Sequence, residues 1–372
     1  MLAVTGVGMV SALGNGVVDG CAASRAGIVR IAPLDEPWLF DPDGGEGQPA
    51  RGHSIPWVTA GFTGLGRLAA LAEAGLRDLA RSVELADLSR CALYVVAPSD
   101  IHRRLLEEQG LLPEEHEARR EVYSTRLLPT LLKHLKPSFP PRFQRTLFGE
   151  AGLFEALRDA TERLRLGQVD RCIIGGLDSL VDPQVTWALY RLGLLKGPER
   201  PTGVLPGEAA AFVVLELPTQ ASRRRARIEA RLEAYEAEAE PFHRRSRQAA
   251  VGQALSRCIR ATLEALPDQG KETGLIIAAL NGDAYRAQDW GTALVRLRDL
   301  NLGESRQWSP AQSFGEVGAA TGLVGLCMAI RAFARGYATT RGVLVWTAGD
   351  DGSRGALYVR APDRQPDEDG RR

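Results

Sequence analysis

Residues 147–157 read LFGEAGLFEAL and run from a glycine-flanked turn straight into a segment with apolar residues at helical spacing. Such a turn presents a side chain at a helix N-terminus, where unpaired N–H groups and the helix dipole stabilise an anion. Enzymes place a reactive thiolate in a position of this kind. The turn at 149–152 contains Glu150 and no cysteine, serine or threonine. The stretch is therefore either an active site without its nucleophile or an ordinary helix start.

The composition excludes several classes of function. The chain has 372 residues, with 46 Lys and Arg against 46 Asp and Glu. Nucleic acids and anionic membranes bind surfaces with excess positive charge, so neither partner is expected. The five cysteines are odd in number and none has CxxC spacing, which indicates a reducing compartment and disfavours a disulfide framework or a zinc site. We expect neither a metal nor a cofactor.

No segment predicts a membrane anchor or a signal peptide. The longest weakly polar stretch, 318–330, is too short to cross a bilayer. The first residues lack the basic region and the long apolar core of a secretion signal. The sequence therefore predicts a soluble, cytoplasmic protein.

Strands alternate with helices along two successive halves, residues 1–222 and 223–360, and a polar tail follows at 361–372. The apolar run CALYVVA at 91–97 is typical of a strand buried on both faces. RIEARLEAY at 227–235 alternates strictly, which predicts a half-exposed strand. Such alternation of elements predicts an α/β fold, with mostly parallel sheets covered by helices.

Glycines mark two further segments. Gly318, Gly322 and Gly325 fall in a predicted helix, where each costs about 1 kcal/mol relative to alanine. Glycines are kept at such a cost where backbones pack very closely, as in a central helix between two sheets. An ordinary buried helix fits the same pattern. At the N-terminus we expect a short strand at 2–5, a glycine-rich turn and then a helix. The turn resembles a dinucleotide-binding loop, but Ser11 replaces its third glycine and no acidic residue follows at the required distance.

Five stretches in this order resemble the β-ketoacyl-ACP synthases of the thiolase superfamily over nearly the whole chain. The resemblance implies a thiolase-like, five-layer αβαβα fold of two pseudo-repeated halves, usually a dimer. The five stretches are VTGVGMVSALGNG (4–16), GQVDRCIIGG (167–176), GVLPGEAAAFVVLE (203–216), SFGEVGAATGLVG (313–325) and WTAGDDGSRGALYV (346–359).

The chemistry of that family needs a cysteine that accepts the acyl group, two histidines that support decarboxylation, and a lysine beside the second histidine. None of these residue types stands at the matching positions of this chain. The cysteine position falls at Glu150, within one residue, and a gating phenylalanine and an asparagine of the terminal hairpin are also replaced. The replacements are Glu150 for cysteine, Asn281 and Gly315 for the histidines, Pro310 for lysine, Asp350 for phenylalanine and Arg354 for asparagine.

The other histidines and cysteines do not restore the set. Most of the five histidines lie in charged or proline-rich segments that predict the surface, and Cys172 falls in a buried strand. Losing one member of such a catalytic unit typically costs several orders of magnitude in rate. The resemblance therefore implies a former active site. Glu150 is interpreted either as an anion that caps its helix or, with Glu316 and Asp350, as a carboxylate that disfavours acyl binding.

The leading hypothesis is a catalytically inactive synthase-like protein that acts by association. It would serve as a chain-length-factor-like subunit, since those relatives carry glutamine at the cysteine position, or as an accessory protein of a biosynthetic or secretion gene cluster. Expected partners are a second copy, a synthase-like subunit, an acyl carrier protein or a client protein. The alternative is an active β-ketoacyl-ACP synthase or acyltransferase of fatty acid or polyketide synthesis. A nucleotide-dependent oxidoreductase, based on GVGMVS alone, would rest on analogy.

Overall fold

The computed structural model describes residues 1–39, 47–85, 87–111, 119–133, 139–198, 200–246 and 248–363. Most of the predicted polar tail, 361–372, lies outside the described residues. The strands are β1 (Leu2–Ser11), β2 (Ala32–Leu39), β3 (Gln48–Gly52), β4 (Cys91–Ala97), β5 (Gln144–Phe148), β6 (Arg171–Ser179), β7 (Glu208–Glu216), β8 (Ala230–Ala239), β9 (Thr273–Ala278), β10 (Arg306–Trp308), β11 (Gly342–Ala348) and β12 (Ser353–Arg360).

Helices alternate with these strands as the sequence predicts. The α-helices are α1 (Val17–Arg25), α2 (Pro56–Thr59), α3 (Gly64–Ser82), α4 (Ile101–Glu108), α5 (Arg119–Val122), α6 (Leu128–Leu132), α7 (Gly149–Arg165), α8 (Pro183–Arg191), α9 (Pro218–Arg223), α10 (Gln253–Glu264), α11 (Ala284–Arg296), α12 (Ala311–Phe314) and α13 (Thr321–Ala334). Within the described residues, no helix has both the length and the apolar character needed to cross a membrane.

Two groups of five strands repeat one pairing pattern. The first group has the order β5-β4-β6-β7-β1 and the second the order β10-β9-β11-β12-β8. In each group the first three strands are parallel and the last two join in antiparallel register. A short antiparallel pairing of β1 with β8 connects the groups. This repetition explains why the two halves of the sequence show the same alternation.

Apolar cores fill the spaces between five layers. Helix α3 covers the outer face of the first strand group, and α10 and α11 cover the outer face of the second. Helices α7 and α13 form the middle layer, because α7 contacts β4 and β12 and α13 contacts β7 and β11. The largest core surrounds these two helices. The predicted thiolase-like αβαβα arrangement is therefore confirmed, and the central layer is where α7 presents its N-terminus.

The glycines of α13 allow the close packing that the sequence indicates. A Cβ atom on Gly322 would lie 2.5 Å from Leu153 Cδ2 of α7, and one on Gly325 would lie 2.8 Å from Val345 Cγ1 of β11. Both contacts are closer than real Cβ atoms tolerate. Gly318 lies before the helix, which begins at Thr321. The predicted central helix is therefore correct, although it starts three residues later than its first glycine.

The expected strand, turn and helix occur in that order at the N-terminus, but the strand is longer and the turn lies later than predicted. Residues 6–11 continue β1 as a fully buried strand, so GVGMVS does not form a loop. A Cβ on Gly8 would lie 2.3 Å from the backbone nitrogen of Leu79 in α3. The glycine therefore permits close contact between a strand and a helix. The pattern that resembled a phosphate-binding turn is explained by packing.

Candidate functional site

The turn at 149–152 places Glu150 at the wall of a cavity. Strand β5 ends at Phe148, Gly149 has a φ of +65°, and α7 begins there. A side chain at Gly149 would be strained, and its Cβ would lie 3.1 Å from Ser99 Cβ. Glu150 follows in the first turn of the helix and lines the cavity. The strand-to-helix turn that the sequence predicts is therefore present.

Both polar and apolar side chains line the cavity. It has a volume of about 90 Å³, room for several waters. Its charged and polar groups include side chains from α4, α7, α11 and the segments after β9 and β11. Its apolar lining includes Leu68, Leu180, Val185, Ala188, Leu189 and Val204. A lining that combines apolar side chains with polar groups is common in small-molecule sites.

Two of the other predicted positions do not present a side chain to this cavity as a histidine or lysine would. Gly315 has a φ of +74°, and a Cβ there would lie 2.8 Å from the carbonyl oxygen of Pro206. Pro310 precedes α12, where its carbonyl accepts a hydrogen bond from Phe314 N at 2.9 Å. Asn281 does line the cavity, and its Oδ1 accepts a hydrogen bond from Asp283 N at 3.1 Å.

Glu316, the residue after Gly315, faces the cavity and binds a buried arginine. Arg286 Nη1 donates to Glu316 Oε2 at 2.8 Å, and both residues are about 6% exposed. The second carboxylate oxygen of Glu316 accepts from Gly318 N at 2.9 Å. Arg286 lies near the start of α11, five residues after Asn281. The sequence hypothesis of unpaired carboxylates is therefore wrong for Glu316, because an arginine from another element neutralises it.

Asp350 also has cationic neighbours. Its carboxylate lies 3.3 Å from His102 Nε2, 3.2 Å from Arg244 Nε and 3.7 Å from Arg286 Nη2. Burial opposes ionisation, but these three groups hold the pKa of Asp350 well below its usual range. Arg244 also pairs with Asp283. Asp350 is therefore ionised and paired, which corrects the expectation that it adds an uncompensated negative charge.

Glu150 and Asp178 also line the cavity, and neither forms an ion pair with another described residue. Burial, followed by the charge of Asp351, raises the pKa of Glu150 well above its normal value. Burial raises the pKa of Asp178 to about 7, although its carboxylate accepts hydrogen bonds from the backbone nitrogens of Ala319 and Ser179. Burial therefore opposes the ionised form of Glu150 that the capping interpretation requires.

The remaining substituted position is Arg354, in the terminal hairpin. Arg354 on β12 donates from Nε to Asp289 Oδ2 at 2.6 Å, and both side chains are almost fully buried. Arg354 Nη1 also donates to the carbonyl oxygen of Gly349 at 2.7 Å. Arg354 therefore connects the turn that carries Asp350 to helix α11, which carries Arg286.

None of the five cysteines is a reactive thiol at this site. All five are free and buried. Burial raises the pKa of Cys172 well above that of an exposed thiol and the pKa of Cys21, Cys91 and Cys258 to about 12. A thiol with a raised pKa is a poor nucleophile. The expectation that Cys172 is a core residue is confirmed.

Sequence reasoning missed four side chains: His102, Asp178, Arg244 and Arg286. Their elements are far apart in sequence, and only the fold brings them together. The expectation that most histidines lie at the surface is wrong for His53, which is fully buried, and for His102, which lines the cavity. His116 and His134 lie outside the described residues. Within the described ranges, His, Cys, Asp and Glu side chains do not cluster in a way that could hold a metal ion.

Comparison with solved structures supports the architecture. One match is to a chain of the AntDE:AntF structure, a type II polyketide synthase acyl-carrier protein in complex with its ketosynthase. The TM-score is 0.74 and the identity 16%, over 97% of this chain and 99% of that one. The ishigamide ketosynthase/chain length factor matches with a TM-score of 0.74 and 21% identity over the same shares. A β-ketoacyl synthase from Burkholderia phymatum matches with a TM-score of 0.69 and 17% identity, again over 97% and 99%.

No protein-family model and no curated protein matches the sequence. At such low identities the structural matches establish the fold alone. They cover nearly the whole of both chains, so the likeness extends through both halves and the central layer. The chain therefore has the thiolase-like fold of ketosynthases and chain length factors.

Proposed function

We propose that this chain is a non-catalytic, synthase-like protein that works by association with a protein partner. It would act as a chain-length-factor-like subunit or as an accessory protein of a biosynthetic or secretion gene cluster. One observation carries the proposal. The wall where the resemblance expects a thiol, two imidazoles and an ammonium holds Glu150, Asn281 and the Arg286–Glu316 ion pair.

The charges at this wall do not suit acyl transfer. Burial raises the pKa of Glu150 and so disfavours its ionised form, and a carboxyl group is a poor acceptor for acyl transfer. Arg286 is held by Glu316 and Asp350 and cannot stabilise a developing oxyanion without losing those contacts. Expelling or reorganising a buried ion pair would cost several kcal/mol. The cavity is therefore better suited to a structural role than to turnover.

The comparisons support a partner of related structure. The matched structures include a ketosynthase/chain length factor and a ketosynthase complexed with its acyl-carrier protein. We infer that a second thiolase-like subunit, either another copy or a synthase, is the first partner to test. Native mass spectrometry of the chain, alone and co-expressed with a candidate synthase, should show a dimer in one of the two samples. A monomer in both samples would contradict this proposal.

The alternative, an active acyltransferase, is favoured by one observation, the imidazole of His102 at the cavity wall beside Asp350. Incubation with acyl-CoA or acyl-carrier-protein thioesters, followed by intact mass measurement, separates the two functions. We expect no acyl adduct under conditions that fully load an active β-ketoacyl synthase. An adduct that disappears when one cysteine is replaced by alanine would establish the alternative.

A further inference from the structure

A second hollow lies between α1, α13 and the segment after β10, distinct from the cavity beside Glu150. Its volume is about 260 Å³, many times that of a water molecule. Three arginines line it, Arg25 from α1, Arg331 from α13 and Arg335 just after α13. Among the residues that the structure describes, no acidic side chain lines it. We call this hollow the arginine groove.

The three arginines have no carboxylate partner among the described residues. Within the part of the chain that the structure describes, none of them forms an ion pair or donates a hydrogen bond to a side chain. The Arg25 guanidinium instead lies 5.9 Å from the ring centre of Trp308 and 5.3 Å from that of Tyr337. These rings hold it in place by cation–π contact. Its hydrogen-bond donors therefore remain available to a ligand.

Helix dipoles explain only part of this arrangement. Each arginine lies at the C-terminal end of its helix, where a cation is favoured by a few tenths of a kcal/mol. The spacing of Arg331 and Arg335 opposes that gain, since like charges four residues apart repel by a similar amount. The dipoles do not account for the convergence of arginines from two helices on one concave surface.

Neutral hydrogen-bonding groups complete the surface. Ser24 and Ser313 are joined by a 2.8 Å hydrogen bond between their hydroxyls, and Gln312 lies beside them. Hydroxyl and amide groups next to several guanidinium groups are a typical environment for a phosphate, which accepts paired hydrogen bonds from arginine. Met328 and Tyr337 add apolar surface for a body attached to that phosphate.

We propose that the arginine groove binds a phosphate group, either free or as the monoester of a small molecule. The site is independent of acyl chemistry and of the partner proposed above. It is concave and lies between helices, so it fits a small ligand better than a flat protein surface.

Titration calorimetry at low ionic strength, with inorganic phosphate and with phenyl phosphate as probes, tests the proposal. We expect at least one probe to bind with a Kd below about 1 mM. Tighter binding of phenyl phosphate indicates a monoester, and equal binding indicates free phosphate. No binding of either probe up to about 10 mM would overturn the proposal.

Variants locate the site. Arg25→Ala and Arg331→Ala should each weaken binding about tenfold or more, because each removes a charge-assisted hydrogen-bond donor. Arg306→Ala is the matched control, since Arg306 is exposed on β10 beside the groove but does not line it. Equal losses in the control and in Arg331→Ala would show general charge attraction and overturn the site.

Two further measurements distinguish loss of the binding site from unfolding of a variant. Arg331→Lys keeps the charge but not the planar fork, so it should bind with intermediate affinity. A change in tryptophan emission on binding, absent in Trp308→Phe, places the probe beside Arg25. Binding by a folded Trp308→Phe protein with an unchanged emission response would contradict the assignment.

Discussion

In the cavity beside Glu150 the buried Arg286 is paired with carboxylates, whereas the three arginines of the arginine groove have no carboxylate partner among the described residues. Arg286 is almost fully buried and touches Glu316 and Asp350. Arg335 is exposed and has no carboxylate partner in the described residues. Buried charges persist only when paired, and unpaired charges persist only when hydrated. The difference indicates that the ion pairs of the cavity beside Glu150 stabilise the fold, whereas the arginines of the arginine groove are available to bind a ligand.

The same substitution in the two regions should have very different effects on stability. Arg286→Ala leaves Glu316 and Asp350 without their buried cation and should lower the free energy of unfolding by about 3–5 kcal/mol. Arg335→Ala removes an exposed side chain and should change it by less than about 0.5 kcal/mol. Urea denaturation of both variants measures the difference. Equal effects would show that the Arg286 network is not a structural element.

The pH dependence of stability should sharpen the comparison. Burial raises the pKa of Asp178 to about 7, so its contribution to stability is complete below the unfolded value near 4 and is lost as pH rises through about 7. Asp178→Asn keeps an acceptor for Ala319 N but cannot ionise. Relative to wild type, it should therefore gain stability between about pH 4 and pH 8, by at most about 4 kcal/mol.

An exposed carboxylate gives the control of opposite sign. A side-chain hydrogen bond from Arg260 lowers the pKa of Asp299 to about 2. Its contribution is present above the unfolded pKa and is lost as pH falls toward 2, so Asp299→Asn should lose stability relative to wild type above about pH 4. If Asp178→Asn followed the Asp299→Asn profile, Asp178 would be ionised at neutral pH and its assignment would be wrong.

The smallest effect is expected at the turn itself. Burial disfavours the ionised form of Glu150, and Glu150→Gln introduces a neutral amide of similar shape, so at pH 7 stability should change by less than about 1 kcal/mol. Thermal unfolding at pH 7 measures this. A large loss would show that the ionised carboxylate stabilises α7, as the capping interpretation requires.

Much of the fold follows from local patterns in the sequence. The apolar run at 91–97 and the alternation at 227–235 predicted β4 and β8, because burial on one or two faces of a sheet leaves a period that can be read directly. The glycines of α13 predicted the central layer. The N-terminal glycines led to the wrong prediction of a turn after residue 5. Close packing of β1 on α3 and a phosphate-binding turn both require residues without a side chain, so the pattern does not distinguish them.

The site was predictable only in part. Glu150, Asn281 and Asp350 could be located from the motifs around them, and all three line the cavity. Arg244, Arg286 and His102 come from separate elements, and their pairing depends on tertiary contacts that no local pattern encodes. One signal was present, since Arg286 lies one turn into the helix that follows Asn281. A buried acidic position in a fold of known topology should prompt a search for such a cation.

Release of CO₂ from malonyl-acyl carrier protein tests the central claim most directly. Decarboxylation needs an imidazole or an equivalent group to stabilise the enolate, and His102 is the histidine that lines the Glu150 cavity in the described residues. We predict release at the background rate, independent of protein concentration, in wild type and in His102→Ala alike. Saturable release that rises with protein concentration and is lost in His102→Ala would contradict the account.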